Sequence, residues 1–410
     1  MMYTQYHKTT LANGLIIVSE SIPHYHSVSI GVWIRSGSRQ ENKNNNGIAH
    51  FLEHLMFKGT KRRSAREIAR SLESVGGYLN AFTSKEQTCY YVEVLDSQLP
   101  RAVDILTDMV CHSLFSPRDI ERERQVILDE IDSVQDTPDD LVQDIFMEKL
   151  YPENSLGYPI LGTKETIQSI TREQLIAFYE NHYISSNIII AAAGKVEHEK
   201  LVRLCEQKFD LPNSQMAFPT LPIIQTGEGE FLYHRAINQA HICLGTIGLP
   251  YDHANKYELL LLNTLLGFGM SSRLFQNIRE KYGLAYSIYS YVDFFQDNGL
   301  LAIYLGTDKN KKDRALQLVE KEIQNLKNKL ITENELDRLK TQLKGNFVLS
   351  LESSSKRMSR LAKMEIYLRE YQTVEHVMSE IEKVQRSTLA EIIHQIFSGR
   401  QLLRVIFLPG

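Results

Sequence analysis

The chain has 410 residues, of which 43% are hydrophobic, and 46 Lys and Arg residues stand against 50 Asp and Glu residues, giving a net charge of −4. This composition excludes a disordered, collagen-like or disulfide-scaffold protein, and the near-neutral charge argues against binding to nucleic acid or to a membrane surface. Residues 1–19 lack the apolar core of a secretory signal, and no stretch approaches a membrane span of about 20 apolar residues, so we expect a cytoplasmic protein.

Runs of β-branched and aromatic residues in the first half predict strands at 15–19, 28–34, 88–95 and 188–193. Longer stretches with helical periodicity separate these strands. Apolar and polar residues alternate around Tyr91 and Glu93, which is typical of an antiparallel or mixed sheet with one covered face. The sequence therefore predicts α+β architecture, with sheets backed by helices.

The two halves of the chain resemble each other in the order of their segments. Residues 27–33 resemble 241–247, and residues 90–96 resemble 300–308. The two offsets, 214 residues from Gly31 to Gly245 and 212 from Asp96 to Asp308, nearly agree, which indicates an internal duplication. A polar, proline-containing stretch at 211–230 has the composition of a linker. We therefore expect two homologous domains, residues 1–210 and 231–410, joined by the linker at 211–230.

The most informative segment is 47–59, which contains His50-Phe51-Leu52-Glu53-His54. On a helix, the two histidines and Glu53 share one face, and an apolar stripe of Ile48, Phe51, Leu52, Leu55 and Met56 occupies the other. Gly59 is expected to close the helix at its C′ position.

Two histidines spaced i, i+4 can reach one Zn²⁺, and a catalytic zinc usually takes a third protein ligand and leaves one position open for water. Glu53 lies on the same face, where it can take a proton from that water. The order H-x-x-E-H is the reverse of the commoner zincin motif.

A third ligand is offered by a helix that is predicted to start at Ser116 and Pro117. Glu123 and Glu130 lie seven residues apart on one face of this helix, or about 10.5 Å along its axis, so both cannot ordinarily bind one ion. One would be the ligand, and the other would orient the ligand or a histidine. The residues alone do not choose between the two, and acidic residues on a solvated face are the alternative.

These motifs resemble those of the inverzincin metallopeptidases of the pitrilysin and insulin-degrading-enzyme type, and most closely the branch of the bacterial and mitochondrial processing peptidases. The family's third ligand is a Glu about seventy-five residues after the motif, and Glu130 lies 76 residues after His54. The resemblance therefore implies Glu130 as the ligand and Glu123 as the supporting carboxylate.

Two further segments match the family. Residues 76–84 resemble the edge strand to which substrate adds as an extra β-strand, which implies substrate contacts at Asn80, Ala81, Phe82 and Thr83. Phe57 and Phe82 resemble aromatic residues that line a pocket by the scissile bond, although each could be an ordinary core residue. Residues 271–286 resemble a segment whose Arg279 and Tyr286 would stabilise the oxyanion of a tetrahedral intermediate.

The resemblance implies a zinc endopeptidase with one Zn²⁺ per chain, which cleaves unfolded peptides or extended presequence-like segments inside a closed chamber. This chain would form half of a clamshell, which implies that two copies form the closed chamber. In such a homodimer, each subunit would donate Arg279 and Tyr286 to the zinc site of its partner. The alternatives are a catalytically silent, peptide-binding subunit of the same family and an unrelated α+β protein with a fortuitous motif.

Overall fold

The computed structural model describes residues 5–212, 224–398 and 401–410. The strands within these ranges are β1 (Gln5–Thr10), β2 (Ile16–Ser21), β3 (Ser27–Ile34), β4 (Tyr78–Thr83), β5 (Thr88–Leu95), β6 (Ile188–Gly194), β7 (Glu230–Arg235), β8 (Ala240–Gly248), β9 (Ser287–Phe294), β10 (Gly299–Thr307) and β11 (Leu403–Pro409). The four strands predicted in the first half correspond to β2, β3, β5 and β6.

The α-helices of the same ranges are α1 (Ile48–Leu55), α2 (Ala65–Glu73), α3 (Leu99–His112), α4 (Pro117–Gln135), α5 (Pro138–Leu150), α6 (Lys164–Ser169), α7 (Arg172–His182), α8 (His198–Lys208), α9 (Lys256–Leu266), α10 (Lys312–Asn328), α11 (Glu333–Ser350), α12 (Ser354–Tyr367), α13 (Val374–Lys383) and α14 (Arg386–Phe397). Among the described residues, none of these helices combines the length and the apolar character needed to cross a bilayer.

The strands form two mixed sheets. The first sheet has the order β1-β2-β6-β3-β5-β4, and the second has the order β7-β11-β8-β10-β9. Neighbouring strands are antiparallel, except for the parallel pairs β2 with β6 and β7 with β11. The predicted α+β class, with two mostly antiparallel sheets backed by helices, is confirmed.

The strand order also carries the signature of the repeat. If the extra edge strand β1 is set aside, β2, β6, β3, β5 and β4 of the first sheet match β7, β11, β8, β10 and β9 of the second in order and direction. The parallel pair occupies the same place in both sheets. This shared topology supports the internal duplication that the sequence predicts.

The chain folds into two compact units that do not follow the contiguous division expected from the sequence. The first consists of described residues within Met1–Ser133, Tyr158–Pro222 and Ser350–Tyr371, and the second of those within Val134–Gly157, Ile223–Leu349 and Gln372–Gly410. The difference arises because two helices cross over. Helix α5, from the first half of the sequence, packs on β8 and β11 of the second sheet, whereas α12, from the second half, packs on β2, β3 and β6 of the first sheet. Residues 213–223 of the expected linker lie outside the described residues.

Each sheet is covered on both faces by helices of its own unit. In the first unit, α1 and α3 contribute to the core on one face, and α12 packs on the other. In the second unit, α9, α10 and α14 cover one face, and α5 covers the other. The apolar residues of both faces leave water on folding, which is the main stabilising term for a sheet placed between two helical layers.

Candidate metal centre

Helix α1 is held in place by its apolar stripe. Ile48, Phe51, Leu52, Leu55 and Met56 are each at most 1% exposed, as the sequence predicts. At roughly 1.5–3 kcal/mol per fully buried side chain, these five residues fix which face of the helix meets the core. The opposite face, with its two histidines and Glu53, is therefore presented away from the core.

The start of α1 is fixed by a residue that the sequence analysis missed. Glu41 is buried, and its carboxylate accepts hydrogen bonds from the backbone N–H groups of Gly47 (2.8 Å) and Ala49 (2.9 Å) and from the Asn46 side chain (2.8 Å). Burial raises the pKa of Glu41 to about 7. An acidic residue placed before a helix start gives little sequence signal, because the turn between them has no fixed length.

The end of α1 differs from the expectation. The helix ends at Leu55, whereas Gly59, the residue expected at the C′ position, lies further along the chain with φ +135°. The intervening residues continue as hydrogen-bonded turns, in which Phe57 N–H donates to the His54 carbonyl and Lys58 N–H to the Leu55 carbonyl. Gly59 instead bridges to Ser64, so its positive φ serves the loop that follows the helix.

Helix α4 begins as predicted. The Ser116 hydroxyl accepts a hydrogen bond from the Asp119 N–H (3.2 Å), and Pro117 opens the helix. Ile120 and Ile127 are buried in the core of the first unit. This packing leaves Glu123 and Glu130 on the side of α4 that faces the histidines of α1.

Three potential ligands come together between α1 and α4. The Glu130 carboxylate (Oε2) lies 3.5 Å from Nε2 of His54 and 3.8 Å from Nε2 of His50. One ligand atom from each of the three residues lies within 4.8 Å of the other two. Within the part of the chain that the structure describes, no other set of three His, Cys, Asp or Glu residues gathers in this way.

The donor set fits a zinc ion. Two imidazole nitrogens and one carboxylate oxygen are a usual ligand set for zinc, and donors about 2.0–2.1 Å from a tetrahedral ion lie roughly 3.3 Å apart. The distances of 3.5 and 3.8 Å from Glu130 to the histidines are close to that separation and too long for hydrogen bonds. Burial, together with the neighbouring His54, lowers the pKa of His50 to about 3, which keeps its ring neutral and able to bind a cation.

Glu123 occupies a different position from Glu130. Its carboxylate (Oε2) lies 3.2 Å from Nδ1 of His54, the ring nitrogen that does not face Glu130, and its Oε1 lies 2.9 Å from the Lys58 ammonium. The Glu123 side chain is only 1% exposed, whereas that of Glu130 is 41% exposed. The residues alone do not show which of the two carboxylates would be the ligand, and the geometry distinguishes them.

Glu53 lies on α1, the helix of His50 and His54, and it is close enough to His54 and Glu130 to interact with both electrostatically. Its carboxylate (Oε2) accepts a hydrogen bond from the Thr83 hydroxyl (2.6 Å), and its Oε1 has no hydrogen-bond partner among the described residues. Burial raises the pKa of Glu53 above its usual value, although the bond from Thr83 opposes the shift. A carboxylate with one free oxygen and a raised pKa is suited to accept a proton.

The predicted substrate strand is an edge strand. Among the residues that the structure describes, β4 pairs only with β5, at one end of the first sheet, and it includes Asn80, Ala81, Phe82 and Thr83. Ala81 packs toward the core on the side of α1. No described residue pairs with the outer backbone edge of β4, so this edge is available for the addition of another strand.

The structure does not bring Phe57 and Phe82 together. Phe57 packs against the core on the side of α1, with its ring 6.5 Å from that of Tyr90. Phe82 pairs with Cys89 and contacts the ring of Trp33 (5.5 Å), and both of these residues belong to the cluster on the opposite face of the sheet. The two phenylalanines therefore lie on opposite faces of the sheet. Ala81 on β4 faces α1, as Phe57 does, and the next side chain along the strand, Phe82, points in the opposite direction.

Arg279 and Tyr286 belong to the second unit. Arg279 lies in a π-helical turn (Phe275–Glu280) and stacks over the Phe275 ring at 4.8 Å. Tyr286 immediately precedes β9 and is 69% exposed. Both side chains are accessible in the isolated chain. The helix α9, which follows β8 as α1 follows β3, contains no histidine, so the second repeat lacks the metal motif.

Two family models match successive parts of the chain. The model described as insulinase (peptidase family M16) matches residues 16–164, and the model described as the peptidase M16 inactive domain matches residues 169–343. The metal motif lies in the first match, and the repeat without it lies in the second.

Similar proteins extend over almost the whole chain. The chain is 40% identical to the uncharacterized zinc protease YmxG of Bacillus subtilis, over 98% of both proteins. It is 39% identical to the uncharacterized zinc protease Rv2782c of Mycobacterium tuberculosis, over 96% of this chain and 91% of that protein. The crystal structure of a protease from Helicobacter pylori superposes with a TM-score of 0.93 at 25% identity, covering 99% of this chain and 100% of that one. A peptidase M16 inactive domain from Pseudomonas fluorescens shares the fold, with a TM-score of 0.92 at 21% identity and coverage of 99% and 98%.

Proposed function

The chain belongs to the insulinase family of peptidases, family M16, and we propose that it is a zinc-dependent endopeptidase that cleaves unfolded peptides or extended, presequence-like segments. The observation that carries the proposal is the convergence of His50, His54 and Glu130 beside the carboxylate of Glu53. Relatives that match the chain from end to end are named zinc proteases, which supports the same reaction class.

In this proposal, His50, His54 and Glu130 hold one Zn²⁺ per chain. A zinc ion bound there would supply Lewis acidity for polarising the scissile carbonyl and for lowering the pKa of a water molecule. Glu53 takes the proton from the attacking water and later gives it to the leaving amine. Glu123 holds His54 in the tautomer that leaves Nε2 free to bind metal, since a second carboxylate on the other ring nitrogen commonly fixes a histidine ligand in this way.

The proposed substrate follows from the open edge of β4. A peptide that adds to this strand is recognised through its main chain, so its sequence can vary, but it must be extended. In a compact folded domain, few extended segments have a main chain that is free to pair with another strand. We therefore expect cleavage of unstructured peptides and resistance of folded proteins.

The proposed active unit is a homodimer. In it, the partner subunit's Arg279 and the partner subunit's Tyr286 complete each site by stabilising the oxyanion of the tetrahedral intermediate. Both side chains are accessible in the isolated chain, which supports such a role in another subunit. A symmetric pair would then contain two equivalent sites.

The test is metal removal and restoration. Purified protein is stripped with a chelator, assayed on a quenched fluorescent peptide of ten to twenty residues, and then titrated with Zn²⁺. We expect hydrolysis to be lost when the metal is removed and to return when about one Zn²⁺ per chain has been added. Protein that binds zinc but cleaves none of a broad set of peptides would instead be the silent peptide-binding subunit. Protein that neither binds zinc nor cleaves would contradict both.

A further inference from the structure

We infer that the side chain of Thr83 is a positioning residue that aims the Glu53 carboxylate at the attacking water. The inference rests on the proposed function, in which Glu53 is the general base. It adds a role for the Thr83 hydroxyl, which is distinct from substrate contacts made by the backbone of β4. The carrying observation is the hydrogen bond of 2.6 Å from the Thr83 hydroxyl to Oε2 of Glu53.

The direction of this bond follows from the available protons. The Thr88 hydroxyl donates its single proton to the Ser36 carbonyl (2.9 Å), and it lies 3.4 Å from the Thr83 hydroxyl. The Glu53 carboxylate can only accept, and at 2.6 Å it lies much closer to the Thr83 hydroxyl than the Thr88 hydroxyl does, so the single Thr83 proton is donated to Glu53. A charge-assisted bond of this kind is among the stronger hydrogen bonds in proteins, so it restricts the rotamer of the carboxylate.

The hydroxyl is mounted on a fixed support. Thr83 and Thr88 are paired at the end of the β4–β5 hairpin, and the Ser84 N–H donates to the Gln87 carbonyl (2.8 Å). The turn is also tied to the segment before α1, because the Ser38 N–H donates to the Ser84 carbonyl and the Arg39 N–H to the Lys85 carbonyl. A catalytic group gains most from a partner that is itself held in place.

The arrangement leaves one oxygen of Glu53 for chemistry. Oε2 is occupied by Thr83, and Oε1 has no hydrogen-bond partner among the described residues. Thr83 is also the last residue of the strand to which substrate is proposed to add. The residue that orients the base therefore belongs to the same rigid strand that would align the peptide, which fixes the base relative to the scissile bond.

The test compares Thr83→Val, which removes the hydroxyl and keeps the shape, with Thr83→Ser, which keeps the hydroxyl and removes the methyl group. Thr83→Val should lower kcat about 10- to 100-fold, because a misplaced catalytic group loses effective molarity. KM and the zinc content should stay near the wild-type values. Thr83→Ser should retain kcat within about threefold, because it restores the donor.

Thr88→Val is the matched control, because it removes a neighbouring hydroxyl that does not contact Glu53. It is expected to lower the melting temperature and to leave kcat near the wild-type value. A purely structural role of Thr83 predicts the opposite order of variants, with Thr83→Ser at least as impaired as Thr83→Val, because serine is the weaker strand former.

The outcomes separate the two claims. If wild-type protein cleaves peptide, Glu53→Gln does not, and Thr83→Val turns over like wild type, the inference on Thr83 is wrong and the proposed function stands. If Glu53→Gln cleaves as fast as wild type, the proposed role of Glu53 as the general base fails, and the inference on Thr83 fails with it. Should Thr83→Val not fold, Thr83→Ala replaces it as the variant without a hydroxyl, with the same expected loss of kcat.

Discussion

The Glu123 carboxylate lies 3.2 Å from Nδ1 of His54, while the Nε2 atom of the same ring faces Glu130 at 3.5 Å. The imidazole of His54 is thus placed between two carboxylates of one helix. The buried carboxylate of Glu123 also pairs with Lys58, which lies one turn after His54 in the chain. This relationship predicts different consequences for the loss of each carboxylate.

Glu123→Gln should weaken zinc binding about 10- to 100-fold without abolishing it, because the variant removes the charge that supports His54 and leaves the three ligands intact. A competition titration against a chromophoric chelator measures the affinity. Glu121→Gln is the control, because it removes an exposed carboxylate from the same helix. An unchanged affinity in Glu123→Gln would contradict the orienting role.

Glu130→Ala should lose most of its bound zinc, because only two protein ligands remain. Asp129→Ala is the matched control, since Asp129 is an exposed neighbour on the same turn. Elemental analysis after dialysis against a low zinc concentration gives the metal content. Equal zinc content in the two variants would show that Glu130 is not a ligand.

Glu41 should make the stability of the protein depend on pH. Its pKa is about 7 in the folded chain, against an ordinary value of 4.5, so the folded state holds this proton up to a higher pH than the unfolded state does. The stabilisation is fully present below about pH 4.5 and is lost as pH rises through about 7.

Glu41→Gln keeps the size of the side chain and one acceptor oxygen, places its amide N–H2 against one of the backbone donors, and should remove that pH dependence. Relative to wild type, the variant should gain up to about 3 kcal/mol of unfolding free energy between pH 4.5 and pH 8. Urea unfolding at a series of pH values measures the difference. A difference between the two proteins that does not change with pH would refute the titration of Glu41 in this range.

Arg357→Met should destabilise the first unit by about 3–5 kcal/mol, because it leaves the buried Glu20 without its cation. In the structure, Arg357 on α12 lies 2.8 Å from the Glu20 carboxylate, which is 1% exposed. Lys356→Met, at an exposed neighbouring position, should change the urea midpoint little. The double variant Arg357→Met, Glu20→Gln should recover part of the loss. A single variant as stable as wild type would argue against this role of the ion pair.

Complementation tests the proposed homodimer. Glu53→Gln and Arg279→Ala are each expected to be impaired alone. In a mixed dimer, the subunit with Glu53 intact would receive the partner's Arg279, so one of the two sites is complete. Random mixing then restores about a quarter of the wild-type activity. No recovery after subunit exchange, confirmed by a tagged mixed dimer, would contradict donation between subunits.

Much of the fold could be predicted because its signals are local. The i, i+4 histidines and the apolar stripe of α1 specify both faces of that helix, and runs of β-branched and aromatic residues specify β2, β3, β5 and β6, four of the six strands of the first sheet. The crossed packing of α5 and α12 could not be predicted in the same way. Each is an amphipathic helix whose sequence shows that it has an apolar face but not which sheet that face covers.

The candidate site follows the same division. Spacing shows that Glu123 and Glu130 share a face, yet only the crossing of α4 with α1 gives one of them Nδ1 of His54 and the other Nε2. The sequence predicts Thr83 as a substrate contact on the edge strand, but its side-chain bond to Glu53 joins residues that are 30 positions apart, which no local pattern indicates. Strand alternation does predict one feature of the site. Phe82 and Thr83 are adjacent on a strand, so their side chains must point to opposite faces of the sheet.

Peptide hydrolysis by zinc-loaded Glu53→Gln, measured beside zinc-loaded wild type, is the most direct test of whether Glu53 acts as the base of a zinc peptidase. The variant keeps the size of the side chain and all three proposed metal ligands. This role of Glu53 predicts equal zinc content in both proteins, with hydrolysis by wild type and a rate at least about a hundredfold lower in the variant. Equal rates at equal zinc content would contradict it.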